Sequence, residues 1–391
     1  MPALTAADLE RFERASVGLT PPFAVVDLVA LRANADDLVR RAGGLPIRVA
    51  SKSVRVRAVI DEQLRRPGFR GIMAFSLREA LWLAREGHEN ILLGYPSVDT
   101  TSVAELSTDP RLARTITLMV DGAEHLDLLR AAAAGPEPVR VCLDVDASLR
   151  LGPVHLGVRR SPLRSPVEAA ALAEQAVEAG FGVVGLMFYD AQIAGLPDTS
   201  YAVRLVKQLS DRDLRRRRSA VVDAVRAVDG VDLEIVNGGG TGSLHVTGRD
   251  PSLTELAAGS GLYGPTLFDG YRDFHPTPAA IFALPVVRRP APGIVTAFSG
   301  GYVASGPPGW SRVPQPVAVQ GLRLKRDEGT GEVQTPLLGR AADGLRLGDR
   351  VWLRHAKAGE LMERFTQVHL VEGDRLVGTV PTYRGEGWSF G

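Results

Sequence analysis

The sequence predicts an α/β chain, a (β/α)8 TIM barrel followed by a C-terminal all-β domain. Three observations carry that expectation. Short runs rich in Val, Ile and Leu alternate with amphipathic stretches from Phe23 to about Gly264. The runs are nearly continuous in apolar residues, as strands covered on both faces are. After Asp273 the pattern changes to proline clusters and closely spaced turns.

In order, the strand candidates are "FAVVDL", "IRVAS", "GIMAFS", "NILLGY", "TITLMV", "VRVCLDV", "GVVGLMFY", "LEIVNG" and "LAAGSGLYG". Setting the first aside leaves eight, the number that closes a parallel barrel with intervening helices. Among those helices, "SLREALWLAREG" opens on Ser76 as N-cap and stops at Gly87 as C-cap. The proline-rich "HPTPAAIFALPVVRRPAPG" marks the change of domain, and "IVTAFSGG", "VAVQGLRL", "DRVWLRHA", "FTQVHLV" and "RLVGTVPTY" read as the strands of the β domain. The expected boundaries are 20–275 for the barrel and 276–391 for the β domain, with the N-terminal segment 1–28, including "FAVVDL", joining the latter.

Composition narrows the function classes. Formal net charge is +1 over 391 residues, and like charges cluster only at Arg215–Arg218, which reads as the solvated face of a helix; no nucleic-acid footprint is expected. Cys142 is the single cysteine, so an internal disulfide and a cysteine-rich metal site are excluded. The start is polar and charged, and no apolar run is long enough to span a bilayer. These features lead to the expectation of a soluble cytoplasmic protein without a membrane partner.

Lysine is scarce. Of the 46 lysines and arginines only four, Lys52, Lys207, Lys325 and Lys357, are lysines. Lys52 ends "IRVASK", at the carboxyl end of a barrel strand, where the catalytic groups of such barrels lie. A primary amine kept where arginine carries the solubility suggests a task guanidinium cannot perform, and forming a Schiff base is such a task. A phosphate-bearing cofactor would need a backbone cradle at the same end. "EIVNGGGTGS", Glu234 to Ser243, supplies glycines that let amide groups approach an anion, with Thr241 and Ser243 as further donors.

On these residues the chain resembles the fold-type III pyridoxal 5'-phosphate enzymes, the alanine racemase-like group. The resemblance lies in "TPPFAVVDLVALRANADDLVRRAGG" followed by "VASKS", in "LRLGPVHLGV" and in "AAGSGLYG". It implies that Lys52 holds the cofactor, that Arg150 contacts its ring oxygen, and that Gly259 and Ser260 join Asn237, Gly239, Gly240, Thr241 and Gly242 around it. Asp144 and Asp146 of "LDVD" read equally as residues that orient Arg150 and as solvated loop carboxylates. One departure bears on chemistry: alanine racemases place an arginine two positions before the glycine of the last motif, and here that residue is Ala257.

"TELAAGS" and "GLMFYDAQ" look more like the D-threonine aldolase and D-serine dehydratase branch, which puts Tyr189 beside the cofactor. In that branch a histidine of the β domain binds a divalent metal with an aspartate or cysteine two positions later. "VWLRHAKAGE" offers His355 but Lys357, and an ammonium is no metal ligand, so a metal bound in this way is not expected. The expectation is instead that Lys357 supplies the positive charge and that His355, with an ordinary pKa near neutrality, moves a proton at the substrate's β-hydroxyl. The resemblance thus implies a homodimeric lyase acting on a small D-β-hydroxy amino acid, by retro-aldol cleavage or by dehydration and deamination. An amino acid racemase and a non-catalytic pyridoxal-phosphate carrier are the remaining readings.

Overall fold

The protein is described from a computed structural model covering residues 4–357 and 359–390. The chain divides into two units, one of Leu38–Lys52, Glu62–Ala258 and Phe390–Gly391, the other of Met1–Asp37, Ser53–Asp61 and Gly259–Ser389.

The first unit is a closed barrel of eight parallel strands. In chain order they are Ile47–Ala50, Phe69–Ala74, Ile91–Pro96, Ile116–Val120, Arg140–Asp144, Gly182–Phe188, Ile235–Gly238 and Glu255–Ala258. They are the eight runs read from the sequence, and the last pairs with the first through Ala257 and Arg48. Leu92, Met119, Cys142, Met187 and Ile235, with Met73 against them, fill the interior, so the barrel is packed and the lone cysteine belongs to its core. A fully buried ion pair lies within: Arg48 donates to both oxygens of Glu255 at 2.6 and 2.7 Å, and to the backbone and side chain of Asn90. Gly71 (φ +72°) makes room for it, since a Cβ there would stand 2.7 Å from the Arg48 guanidinium. Ser76 caps the helix Leu77–Arg85 by accepting from the Glu79 amide, and Gly87 follows its end at φ +93°.

Arg215–Arg218 departs from expectation. The run lies on the helix Tyr201–Arg226, but only Arg216 is fully exposed. Arg218 is buried on Asp250, Arg217 donates to the carbonyls of Asp146 and Ser148, and Arg215 donates to that of Val246 at 3.0 Å. Orphan loop carbonyls and a buried aspartate recruit these guanidiniums, which offer several donors on a long stem.

In the second unit a nine-stranded sheet runs, along its main path, Arg323–Leu324, Gln334–Leu338, Ile294–Phe298, Ala280–Ala291, Phe23–Asp27, Gln367–Glu372 and Arg375–Pro381. Arg350–Arg354 pairs beside Ala280–Ala291 and takes Gln315–Pro316 on its other side. Phe23–Asp27 is antiparallel to Ala280–Ala291 and parallel to Gln367–Glu372. Phe12, Phe23, Val25, Ile281 and Trp352 anchor its core. Two expectations are corrected here. The proline-rich stretch is itself the longest strand among the described residues: Pro285 stands opposite Arg350 at the end of one ladder, and Pro290 lies where the pairing with Ile294–Phe298 shifts register. "VAVQGLRL" is mostly not strand: Ala318–Gln320 forms a 3-10 turn, and the Gln320 side chain bonds both the carbonyl and the amide of Trp352 at 2.7 and 2.9 Å, replacing a backbone ladder. Among the described residues, no helix is long and apolar enough to cross a membrane.

Candidate active site

Lys52 sits in the 3-10 turn Ser51–Ser53 that follows the first barrel strand. The turn is fixed by Ser51, whose hydroxyl donates to the Met73 carbonyl at 2.9 Å. The Lys52 ammonium donates to the Tyr95 hydroxyl at 2.5 Å and stands 5.1 Å from that ring's centroid. Tyr95 lies near the end of the third barrel strand, so amine and phenol both come from carboxyl ends.

Arg160 bridges two aromatic rings, with its guanidinium 5.7 Å from the centroid of Tyr95 and 5.1 Å from that of Tyr189. Tyr189 directly follows the strand Gly182–Phe188, and burial pushes its phenol up to about 12, so it stays protonated. Asp144 ends its own strand. Burial, aided by the charge of Asp121, raises its carboxyl to about 7, against the opposing pull of Arg160. Asp121 is itself raised by burial and lies 3.0 Å from Nδ1 of His125.

The glycine segment follows the strand Ile235–Gly238. Gly239 holds φ +77°, and a Cβ on Gly240 would stand 2.9 Å from Ala194 and 3.7 Å from the Tyr189 ring, so glycine is what lets the backbone pass this closely. Its shape is set from behind. The Ser243 hydroxyl accepts from the Gly240 amide at 3.1 Å and donates to Asp190 at 3.1 Å, the Thr247 hydroxyl donates to the other Asp190 oxygen at 2.5 Å, and Arg41 donates to the Thr241 carbonyl at 2.7 Å. Asp190 is buried, which pushes its carboxyl up. Asn237 instead donates to Glu255 at 2.7 Å.

Arg150 is placed differently from Arg160. It lies on the hairpin of Leu149–Leu151 and Val154–Leu156, is 44 % exposed, and donates to Asp146 at 2.7 Å, an oxygen it shares with Arg164. Tyr95, Arg160 and Asp144 are thus members of the lysine's surroundings to which the sequence reading gave no role beside the lysine. The signal was available in the ends of "NILLGY" and "LGVRRSP", which carry a phenol and a second arginine.

In the second unit, His355 follows the strand Arg350–Arg354 and is 2 % exposed. Its Nδ1 lies 3.1 Å from the Ala280 carbonyl, while Nε2 is buried with no hydrogen-bond partner. A carbonyl only accepts, so Nδ1 carries the hydrogen and Nε2 presents a lone pair. The expected near-neutral pKa is corrected: burial, with the neighbouring Arg354, lowers it to about 3, and the ring is neutral at any working pH. Tyr263 meets this ring edge-on, with centroids 6.4 Å apart. Lys357 contacts Ser305 through its carbonyl and hydroxyl at 3.4 and 3.3 Å. Gly259 precedes the 3-10 turn Ser260–Leu262. Among the described residues no three His, Cys, Asp or Glu side chains gather as a metal site. One imidazole nitrogen followed two positions later by an ammonium does not fit a divalent cation held by those two residues.

A parallel barrel with an amine-bearing turn and a glycine segment at its carboxyl ends is the arrangement of the fold-type III pyridoxal-phosphate class. The chain belongs to that class: the model of the alanine racemase N-terminal domain family matches residues 26–266. It is 28% identical over 242 residues to a D-threonine aldolase of Arthrobacter sp., a match covering 60% of this chain and 59% of that protein. Its fold is similar to the D-threonine aldolase of Filomicrobium marinum, with a TM-score of 0.78 and 21% identity over 98% of both chains. It is also similar to D-threo-3-hydroxyaspartate dehydratase of Delftia sp. HT23, with a TM-score of 0.74 and 19% identity over 94% of this chain and 98% of that one.

Proposed function

We propose that this protein is a pyridoxal-phosphate-dependent lyase of D-β-hydroxy amino acids that cleaves the Cα–Cβ bond to give glycine and an aldehyde. The observation that carries it is the Lys52 amine, held by the Tyr95 hydroxyl in a turn at the barrel's carboxyl end. The residues fit the cofactor: a reactive amine for its aldehyde, and at Gly239 and Gly240 a segment without side chains, fixed from behind by Ser243, whose amides an anion can approach. When bound, the cofactor accepts electron density from the substrate's α-carbon. Thr241, Gly242, Gly259 and Ser260 are carried forward from the resemblance as further phosphate contacts, and Asn237 as a residue acting from the interior through Glu255. Arg160, rather than Arg150, is the arginine we assign to the cofactor ring, because it stands over both Tyr95 and Tyr189.

Tyr189 packs and orients as a protonated phenol. It is poorly suited as the second base a racemase needs, since its proton leaves only near pH 12. For His355 and Lys357 the resemblance assigns the substrate's β-hydroxyl, and the tautomer of His355 favours one direction of proton transfer. A neutral ring with a bare Nε2 has no proton to give to a departing hydroxide, which counts against elimination; its basicity is lowered by burial, so its role towards the hydroxyl is to accept a hydrogen bond rather than to hold the proton. Lys357 would supply the positive charge there.

Dehydration is the second reading, supported by the likeness to the Delftia enzyme's fold. Incubation of the cofactor-loaded protein with D-threonine separates the two: cleavage yields acetaldehyde and glycine, elimination yields 2-oxobutanoate and ammonia. We expect the former, unchanged after dialysis against EDTA. Formation of 2-oxobutanoate, or inversion at the α-carbon without either product set, would contradict the assignment. A cytoplasmic homodimer completes the proposal, the location from the composition and the dimer from the resemblance alone.

A further inference from the structure

Gln192 is a polar side chain buried in the short helix Ala191–Ala194 that follows Tyr189. Its Nε2 donates to the Ala147 carbonyl at 2.7 Å, across 45 positions of sequence. Its Oε1 has no hydrogen-bond partner among the described residues and faces Gly157, where an added Cβ would stand 2.9 Å from that oxygen and 2.8 Å from Cβ of Ser148. Gly157 holds φ +138°, which side chains rarely adopt. These two neighbours lie on the two arms of the hairpin Leu149–Leu151 and Val154–Leu156: Ala147 comes just before its first strand and Gly157 directly after its second.

Beyond Gly157 the same arm runs on to Arg160, whose guanidinium stands over the rings of Tyr189 and Tyr95. Arg160 is exposed and, among the described residues, held by no ion pair, so the two rings and the course of its own segment place it. The base of that segment is fixed by other bonds: the Asp146 amide donates to the Leu163 carbonyl at 2.7 Å, and the Ser161 hydroxyl donates to that of Asp144 at 2.5 Å. The tip is open, with Leu151 and Val154 exposed. Between base and tip, the separation of the arms is set by Gln192, which donates to one and leaves the other only the room a glycine needs. We propose that Gln192 is a positioning residue for the cofactor, holding the arms so that Arg160 stays over Tyr189 and Tyr95, from where its charge reaches the cofactor ring. The proposal rests on the lyase reading above and on the assignment of Arg160 to that ring.

The test reads the cofactor rather than turnover. Titrating the full-length apoprotein with pyridoxal phosphate gives Kd, and the visible band of the saturated protein is then followed with pH. A guanidinium beside the ring oxygen favours its deprotonated form, so a retreat of Arg160 moves the midpoint of that transition up. Asp144 and Tyr189, which act on Arg160 electrostatically, are present in every variant, so their own titration cancels in the comparison. Q192L removes the donor at similar bulk, and G157A presses on the second arm from the opposite side. In each we expect a Kd about tenfold weaker and a midpoint higher by about one pH unit. R160Q alone should show both changes, and adding Q192L or G157A to R160Q should weaken Kd by no more than about twofold further. Thermal melting identifies a variant that has lost its fold, and the other variant then carries the comparison. Unchanged Kd and midpoint in the folded variants, or losses of equal size with and without Arg160, overturn the positioning role, while acetaldehyde and glycine formed from D-threonine by the parent leave the lyase reading standing. A parent protein that forms no visible band with the cofactor overturns both.

Discussion

Lys52 illustrates how a single residue's chemistry stands out from composition and is then given a setting by the fold. Its scarcity in an arginine-rich chain was visible in the sequence; its hydrogen bond to Tyr95 was not, because 43 positions separate the two and only barrel closure brings them together. The same holds for Asp144, which looks like one of two loop carboxylates until burial is known. Its carboxyl is raised to about 7, whereas in the unfolded chain it ionises near 3.8. Between those values the folded protein holds a proton that the unfolded chain releases, so stability falls as pH rises from about 4 to 7, by up to about 4 kcal/mol. D144N, neutral throughout, should therefore melt several degrees higher than the parent at pH 8, with the gap closing towards pH 4. Calorimetry at the two pH values checks this, and a gap independent of pH would contradict the raised carboxyl. His355 shows the opposite limit of sequence reading: the residue was found, but its protonation state follows from packing that no local motif reveals.

At the scale of elements, the glycine segment after Gly238 was legible from sequence as a special turn; a glycine run alone is more often a tight turn than a phosphate site, and its place after a strand with Thr241 and Ser243 is what suggested a cradle. What holds it was not. Asp190 is 53 positions from Ser243, yet one carboxylate ties both Ser243 and Thr247 and so fixes the amide of Gly240. D190A leaves two buried hydroxyls without their acceptor, which costs about 1–3 kcal/mol, and lets the segment relax. We predict at least a tenfold weaker affinity for pyridoxal phosphate, read by titrating the purified apoprotein and following the cofactor band; an unchanged affinity would mean that the segment keeps its shape unaided. The elements misjudged from sequence share one cause. Gln320 substitutes its side chain for a backbone ladder, and Arg215, Arg217 and Arg218 satisfy distant carbonyls and a buried aspartate, so tertiary partners decided what local pattern could not.

For the whole molecule, eight apolar runs sufficed to predict a closed parallel barrel, since eight strands with covering helices have few other ways to bury both faces. Its buried ion pair was invisible, because Arg48 and Glu255 are 207 positions apart and only barrel closure brings them together. Arg48 and Glu255, both buried, tie the first and last strands together. E255A should destabilise the protein by about 3–5 kcal/mol, since it leaves a buried guanidinium uncompensated; denaturant unfolding measures this, and a cost below 1 kcal/mol would show that water reaches Arg48. The family membership fixes the barrel's ancestry, and the scarcity of lysine makes its central chemistry unusually easy to locate. Borohydride reduction of the pyridoxal-phosphate-loaded protein, followed by peptide mass spectrometry, should place the cofactor's mass on the peptide containing Lys52 and on none containing Lys207, Lys325 or Lys357. Label on another lysine, or on none, would contradict the account.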